Sequence, residues 1–191
     1  MLGRFFGSNV GRLDEVLFVM ASRANRRRLC LTTVPAMTAI IYSGEMVVAL
    51  IWAIYLLATS TFSMGEAVVL FSGGIVALTL GEYIVHRFLL HGIARTQHRI
   101  HHAHPNEAID KIFWHIWVCF AVVYLIAGGV VLAGALAAYA WYLFIHFCAH
   151  HSPYILPPSL LKHHSDHHSF ANRNYGVTTT LWDHVFRTML R

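Results

Sequence analysis

The sequence predicts an all-α integral membrane protein in which four spanning helices form a bundle. Only 12% of the 191 residues are charged and 57% are hydrophobic, whereas about a quarter of the residues in a soluble domain are charged. The apolar residues are gathered into long runs, and about 20 apolar residues in a helix cross a bilayer core about 30 Å thick. The placement of the positive charges, described below, supplies the topology.

Four apolar runs are candidates for the spans. The predicted spans are residues 34–59, 66–85, 112–127 and 130–150. The last two come from one long apolar stretch, in which Ala-Gly-Gly-Val-Val at 127–131 forms the expected turn. Buried helices of a soluble protein are the alternative, and the lengths of the runs disfavour it.

The 14 Lys and Arg residues all fall on one side of such a bundle. Six precede the first span, four lie between the second and third, and four follow the fourth, while the connections at 60–65 and 127–131 contain none. Loops rich in Lys and Arg stay in the cytoplasm. We therefore expect a multi-pass protein with both termini cytoplasmic. The modest net charge of +5 and the absence of an aromatic-plus-basic motif give no reason to expect a nucleic-acid partner.

The chain divides into two parts. Residues 1–33 carry apolar residues at helical spacing together with six arginines, which predicts an amphipathic segment at the cytoplasmic membrane surface. Residues 34–191 form the membrane domain, and their last part, 151–191, is expected to be a cytoplasmic cap.

The 15 histidines are the unusual feature of the composition, and none precedes His86. Ten of them fall in four sets with ligand spacing: His86 and His91; His98, His101 and His102; His146 and His150; His164, His167 and His168. Positions i, i+3 and i+4 share one face of a helix, so we expect each triplet to converge on one point. His86 and His91 are five residues apart, and they converge only if the helix ends or distorts near Gly92.

Ten clustered imidazoles without partners would leave many buried polar groups unsatisfied. Metal ions satisfy them, because neutral imidazole is a good ligand for iron, zinc and copper. Ten nitrogens exceed the needs of one ion and suit two ions with open positions. We therefore predict a cytoplasmic, histidine-rich helical cap that holds a di-metal centre. A redox metal that activates O2 suits a site at a lipid boundary, which favours two iron ions, with zinc possible in purified protein.

Five residues near these sets are expected to orient the ligand imidazoles. They are Glu82, Asp166, Asp183, His163 and His151. Ordinary capping or a solvated charge is the alternative for the carboxylates. His115 has no histidine three or four residues away, so we interpret it as a packing residue.

Five stretches together resemble the fatty acid hydroxylase and sterol desaturase superfamily, and the resemblance is closest to its fatty acid 2-hydroxylase branch. They are EYIVHRFLLH (82–91), HRIHH (98–102), HFCAHHS (146–152), HHSDHH (163–168) and NYGVTTTLWDHVFRT (174–188). Each is weak by itself, but the four histidine motifs in this order, followed by the last segment, are specific. The resemblance covers about residues 80–188.

The resemblance implies a membrane-bound non-haem di-iron monooxygenase whose ligands are the ten histidines named above. It also implies O2 as co-substrate and a long-chain lipid or fatty acid as substrate. Two electrons would come from a redox partner, expected here to be a separate cytochrome b5-like or ferredoxin-like protein. Tyr83, Phe88, Phe113, Trp114 and Trp117 lie where they would line a path for an acyl chain from the bilayer, with an interfacial aromatic belt as the alternative.

Other functions stay open at this point. Within the same superfamily, sterol or carotenoid hydroxylation and lipid desaturation use similar motifs. A membrane metal transporter or a histidine-ligated haem protein would belong to other classes. Transporters place their polar groups near the bilayer midplane, where Glu45 is the obvious ionisable residue of this sequence.

Overall fold

A computed structural model describes residues 36–105 and 113–190. Every regular element in these two ranges is a helix, which confirms the predicted all-α class. The amphipathic segment predicted for residues 1–33 lies outside the described residues.

The helices follow one another with short connections. In chain order they are α1 Ala36–Ala58, α2 Met64–Ile84, a π-helix Val85–Ile93, α3 Arg95–Ala103, α4 Phe113–Ala127, α5 Gly129–His151, a 3-10 turn Pro153–Ile155, α6 Pro158–Ser169 and α7 Leu181–Val185. A capping box fixes the start of α2, because Ser63 N–H donates to the Glu66 carboxylate at 2.9 Å and the Glu66 N–H approaches Ser63 Oγ.

Three helical stretches are long and apolar enough to cross a membrane: Ala39–Ala58, Met64–Ile93 and Gly129–His151. The second continues beyond the predicted 66–85 because the π-helix extends α2. The third predicted span, 112–127, corresponds to α4, whose 15 described residues cover about 22 Å at 1.5 Å per residue. A bilayer core is about 30 Å thick, so the described part of α4 is short for a span.

Helix α5 is the centre of the bundle, with α1 and α2 packed along it. Its buried residues include Leu132, Leu136 and Leu143, which meet small residues of α1 such as Ala49 and Ala53. Small side chains at helix crossings let membrane helices approach closely and gain dispersion contacts. The core therefore lies on α5, and the other helices take their positions from it.

Two glycines bring α2 and α5 into backbone contact. A Cβ atom at Gly134 would overlap the carbonyl oxygen of Phe71, and one at Gly74 would overlap that of Val131. Any larger side chain at either position must therefore push the two helices apart.

Substitution of Gly134 by valine is expected to lower the free energy of unfolding by about 2 kcal/mol or more, because overpacking of a fitted contact costs about 1–3 kcal/mol. Gly73→Val is the matched control, since a Cβ atom at Gly73 meets nothing within 4 Å. Thermal unfolding of both variants in detergent measures the difference. Equal losses of stability would show that the α2–α5 contact is not as close as described.

The C-terminal segment folds back over one end of the bundle. Trp182 Nε1–H donates to Thr79 Oγ1 at 3.2 Å, and the Tyr83 and Thr188 hydroxyls lie 2.9 Å apart. Together with α3 and α6, this segment forms the cap, and the cap carries six of the ten predicted ligands.

Candidate metal centre

Nine of the ten predicted ligand histidines form two groups, each with its nitrogen atoms within 4.8 Å of one another. Site A consists of His86, His91, His98, His102 and His167. Site B consists of His101, His146, His150 and His164. The described structure therefore brings together residues that are up to 81 positions apart in the sequence.

His168, the tenth predicted ligand, lies between the two sites. Its ring centroid is 4.4 Å from that of His102 in site A and 4.7 Å from that of His164 in site B. Its Nε2 atom is buried, and among the described residues no hydrogen-bond partner reaches it. A buried imidazole nitrogen with an unused lone pair is a candidate ligand for either ion.

The π-helix explains how His86 and His91 enter the same site. Hydrogen bonds in a π-helix join residues five apart, as the bond from Ala94 N–H to Leu89 O at 2.7 Å shows. Residues five apart therefore share a face, and the centroids of the two rings lie 5.1 Å apart. The expected distortion near Gly92 exists: the π-helix runs from Val85 to Ile93 and includes Gly92.

Each histidine triplet is divided between the two sites, which corrects the expectation that it converges on one point. His98 and His102 belong to site A, whereas His101 belongs to site B. Residues i+3 and i+4 lie on opposite sides of residue i and about 100° apart around the helix. On α6, His164 belongs to site B and His167 to site A. Each cap helix therefore connects the two sites.

The spacing of facing nitrogens suits a bound cation. The Nε2 atoms are 2.9 Å apart in His86 and His98, 3.1 Å in His101 and His146, and 3.0 Å in His150 and His164. Two imidazole nitrogens that each lie about 2.1 Å from one ion are about 3 Å apart when the angle at the ion is near 90°. The groups thus have the separation of metal ligands.

The tautomers of His86 and His167 also fit a metal. His86 Nδ1 lies 2.5 Å from the carbonyl oxygen of Tyr175, and His167 Nδ1 lies 2.7 Å from that of Arg173. A carbonyl oxygen only accepts, so Nδ1 carries the proton in both rings. In the neutral ring Nε2 then presents a lone pair to site A, as a metal ligand must.

His164, His167 and His168 of α6 are neutral at physiological pH. Burial, together with the surrounding imidazoles, lowers the pKa of His167 to about 2 and that of His168 to about 3. Burial and the neighbouring rings also hold the pKa of His164 well below its ordinary value. A metal ion therefore does not compete with protons for these nitrogens.

Asp183 holds the site through the backbone rather than through a ligand imidazole. Its fully buried carboxylate accepts hydrogen bonds from Tyr175 N–H at 2.9 Å, Gly176 N–H at 2.8 Å, Thr188 Oγ1 at 2.7 Å and His163 Nε2 at 3.1 Å. Burial alone would raise the pKa of Asp183, but these hydrogen bonds keep it below its ordinary value. The carboxylate thus fixes the segment whose Tyr175 carbonyl orients His86.

The other predicted orienting residues have varied positions. Glu82 accepts from the N–H groups of Val177 and Thr178 at 2.6 and 3.2 Å, so it ties the cap to α2. The half-buried Asp166 carboxylate lies 2.5 Å from Nζ of Lys162, one turn earlier on α6. His151 is buried against Phe147, with ring centroids 4.7 Å apart. His163 contacts Asp183, as described above.

The backbone carbonyls that orient His86 and His167 were missed by the sequence reasoning. They flank Asn174, whose φ of 55° lies in the left-handed region, where asparagine is several-fold enriched. Its side chain donates to His163 O at 3.2 Å and accepts from Leu190 N–H at 2.7 Å. The Asn-Tyr-Gly sequence at 174–176 was the available signal for a special turn.

An apolar cavity of about 360 Å³ leads from the bundle to both sites. Its apolar wall includes Gly74, Ala77, Leu78 and Gly81 of α2, Ile116, Cys119, Phe120 and Val123 of α4, and Val131, Ala135, Tyr139 and Leu143 of α5. At one end it is lined by His86, His98, His101, His146, His164, His167 and His168. Its volume falls in the range of about 300–1,000 Å³ usual for ligand pockets.

The aromatic residues expected to line a path for the acyl chain do not line this cavity where their side chains are described. Tyr83 is buried and stacks on Phe186 at 5.1 Å. Phe88 is exposed, and Trp117 donates its Nε1–H to Glu45 at 3.0 Å. The side chains of Phe113 and Trp114 lie outside the described part of the chain. The cavity is lined instead by small residues of α2 together with other side chains of α4 and α5, among them Phe120 and Tyr139.

Comparison with known proteins agrees with the site. A sequence model of the fatty acid hydroxylase family matches residues 71–188. The dihydroceramide fatty acyl 2-hydroxylase FAH2 of Arabidopsis thaliana is 30% identical over 138 residues, which are 61% of this chain and 58% of that protein. The ceramide very long chain fatty acid hydroxylase SCS7 of Saccharomyces cerevisiae is 33% identical over 150 residues, 63% of this chain and 38% of that protein.

A solved structure has the same fold. The visible hydroxylase domain of full-length scs7p superimposes with a TM-score of 0.56 and 29% sequence identity, covering 83% of this chain and 66% of that one. The chain belongs to the fatty acid hydroxylase family, as the sequence motifs indicated. It spans 58% of FAH2 and 38% of SCS7.

Proposed function

We propose that this protein is a membrane-bound non-haem di-iron monooxygenase that hydroxylates the acyl chain of a lipid or fatty acid. The observation that carries the proposal is the apolar cavity that ends on two groups of imidazoles. The cavity has space and chemistry for an alkyl chain, and an unactivated C–H bond yields only to a strong oxidant. The relatives named as 2-hydroxylases of fatty acyl chains support the same reaction.

Site A and site B would each hold one iron ion, and His168 would serve either. Iron bound there would supply the O2-dependent oxidation that no side chain of the protein can perform. The hydrogen bonds from His86 and His167 to backbone carbonyls keep their Nε2 lone pairs directed inward. Zinc in the same positions is compatible with the donor set.

The remaining work of the chain is to position the substrate and to exclude water. Leu78, Phe120 and Leu143 line the cavity with hydrocarbon, so an acyl chain displaces water there at a gain in free energy. A chain held in this way presents one methylene to the metal centre. Such positioning lowers the activation barrier, because the entropy of ordering the substrate is already lost on binding. The electrons would come from a separate cytochrome b5-like or ferredoxin-like donor.

The proposed topology places the cap, the metal centre and both termini in the cytoplasm, with four spans including α4. Support comes from the distribution of Lys and Arg, none of which lies in the two connections on the other side. Reporter fusions at the two ends of the chain are expected to show cytoplasmic activity only. A reporter active on the opposite side at either end would refute this topology.

Lipid mass spectrometry tests the proposed function. Cells that express the protein are expected to accumulate lipids that are one oxygen atom heavier than those in cells expressing His164→Ala at the same level. Lipids lacking two hydrogens would instead identify a desaturase. A change confined to sterols or carotenoids would assign another branch of the superfamily.

A further inference from the structure

One face of α2 lines the cavity from its deep end to site A. This face carries Gly74, Ala77 and Gly81, which are spaced three and four residues apart and therefore point the same way. A Cβ atom at Gly81 would meet nothing within 4 Å. The absence of larger side chains at Ala77 and Gly81 leaves space for the cavity, whereas Gly74 lies against the backbone of α5 at the deep end.

The α4 wall of the cavity also borders open space at one residue. Cys119 lines the cavity and is exposed, as is Ala77 on α2. Because the side chains of Ala77 and Cys119 are exposed, other protein atoms do not fill the space beside them. Added volume at either position would therefore enter the cavity rather than the core.

The helical rise per residue gives the distance of these residues from His86 along α2. Ala77 precedes His86 by nine residues and Gly74 precedes it by twelve, which gives about 13 Å and about 18 Å at 1.5 Å per residue. An extended alkyl chain advances about 1.3 Å per carbon, because its C–C bonds are about 1.5 Å long. The two depths therefore correspond to about ten and about fourteen carbons beyond the metal centre. Gly74, where the backbones of α2 and α5 are in contact, is the first residue of α2 that lines the cavity.

We infer that Ala77 and Cys119 determine the acyl-chain length that this enzyme accepts. The inference rests on the proposed function and specifies its substrate as an unbranched chain with more than about ten carbons beyond the oxidised position. The chain lies along the Gly74, Ala77 and Gly81 face of α2, with its tail toward Gly74. Bulk at position 77 or 119 shortens the space without changing the metal ligands.

Four phenylalanine variants test the inference by mass spectrometry of the hydroxylated products. In Ala77→Phe and Cys119→Phe, the ratio of products with long chains (16 or more carbons) to products with short chains (about 10 carbons) is expected to fall at least tenfold. Val76→Phe and Val118→Phe are the controls, because both valines are 53% exposed on the same helices and do not line the cavity. They should keep the wild-type ratio.

A binding measurement separates this inference from the proposed function. In a Cys30→Ser background, Cys119 is the exposed thiol of the described structure, since Cys148 is buried. Alkylation of Cys119 should be slowed by an 18-carbon saturated fatty acid. This protection should be lost in Ala77→Phe and kept in Val76→Phe. This protection experiment measures binding and needs no turnover. If wild-type protein makes no oxidised lipid, only the proposed function is refuted, and the protection of Cys119 still tests the chain-length inference.

While wild-type enzyme is active, the inference fails if Ala77→Phe lowers the yields of hydroxylated products of all chain lengths equally. It fails as well if Ala77→Phe leaves the chain-length distribution of these products unchanged. It also fails if the 18-carbon acid protects Cys119 equally in Ala77→Phe and Val76→Phe. Metal content, measured for each variant, shows whether a uniform loss of product reflects a damaged centre. If the metal content has fallen, the Cys119 protection measurement tests the inference instead of the product distribution.

Discussion

Alanine in place of His164 is expected to abolish turnover and to remove metal from site B. The imidazole of His164 is buried, and its Nε2 lies 3.0 Å from that of His150. Even residues that only orient metal ligands typically change affinity or activity 10- to 100-fold when removed, so loss of a ligand should cost at least about 100-fold. Alanine at His98, a site A residue whose Nε2 faces that of His86, should likewise abolish turnover and should remove metal from site A.

The matched control is His115→Ala. His115 is an exposed residue of α4 that belongs to neither site. Its removal costs at most a hydrogen bond worth about 1 kcal/mol, so most of the activity should remain. Turnover and metal content are compared at matched expression, because protein that lacks metal is often less stable. Wild-type metal content and product yield in His164→Ala would show that the ligand assignment is wrong.

Asp183→Ala is expected to destabilise the cap by about 3 kcal/mol or more and to lower metal content in site A. The substitution leaves the buried N–H groups of Tyr175 and Gly176 without their acceptor, and each unsatisfied donor costs about 1–3 kcal/mol. The Tyr175 carbonyl then loses the position from which it orients His86. Because the pKa of Asp183 lies below its ordinary value, its stabilisation is present at neutral pH and is lost as the pH falls through the folded-state pKa.

Asp166→Ala is the control for this prediction. Its carboxylate pairs with the largely exposed Lys162, and exposed ion pairs of this kind contribute about 0–1 kcal/mol. Thermal unfolding and metal analysis of the two variants measure the difference. Equal effects of the two substitutions would contradict the role assigned to Asp183.

The candidate ligand set was accessible from the sequence because its spacing has a direct geometric meaning. Pairs such as His146 and His150 lie one helical turn apart, and this relation holds wherever the helix packs. The all-α class and three spans followed from apolar runs for the same local reason. The five segments that resemble the family all lie within residues 71–188, which the family model matches.

The division of the ligands between two sites was not accessible in this way. His101 and His102 are adjacent in sequence, yet they belong to different sites because about 100° separates them around α3. Which of them faces which site depends on how α3 sits on α5 and α6, a tertiary property. The nine-residue π-helix was likewise only partly foreseen, since residue spacing requires a distortion without giving its length.

The orienting contacts and the cavity were also beyond sequence reasoning. A histidine can be oriented by any backbone carbonyl, and no side-chain pattern marks Tyr175 and Arg173 for this purpose. Tyr83, Phe88 and Trp117 do not line the cavity, whose α2 wall includes the small residues Gly74, Ala77 and Gly81. Ala77 and Gly81 become informative only when α4 and α5 are seen opposite them.

Metal analysis of the purified protein tests the central claim most directly. Protein produced with ample iron and purified without chelators should contain two metal ions per chain, because site A and site B each collect at least four imidazoles. Iron should predominate, and His164→Ala should lower the content to about one ion, retained in site A. A reproducible content of one ion per wild-type chain would contradict a two-ion centre.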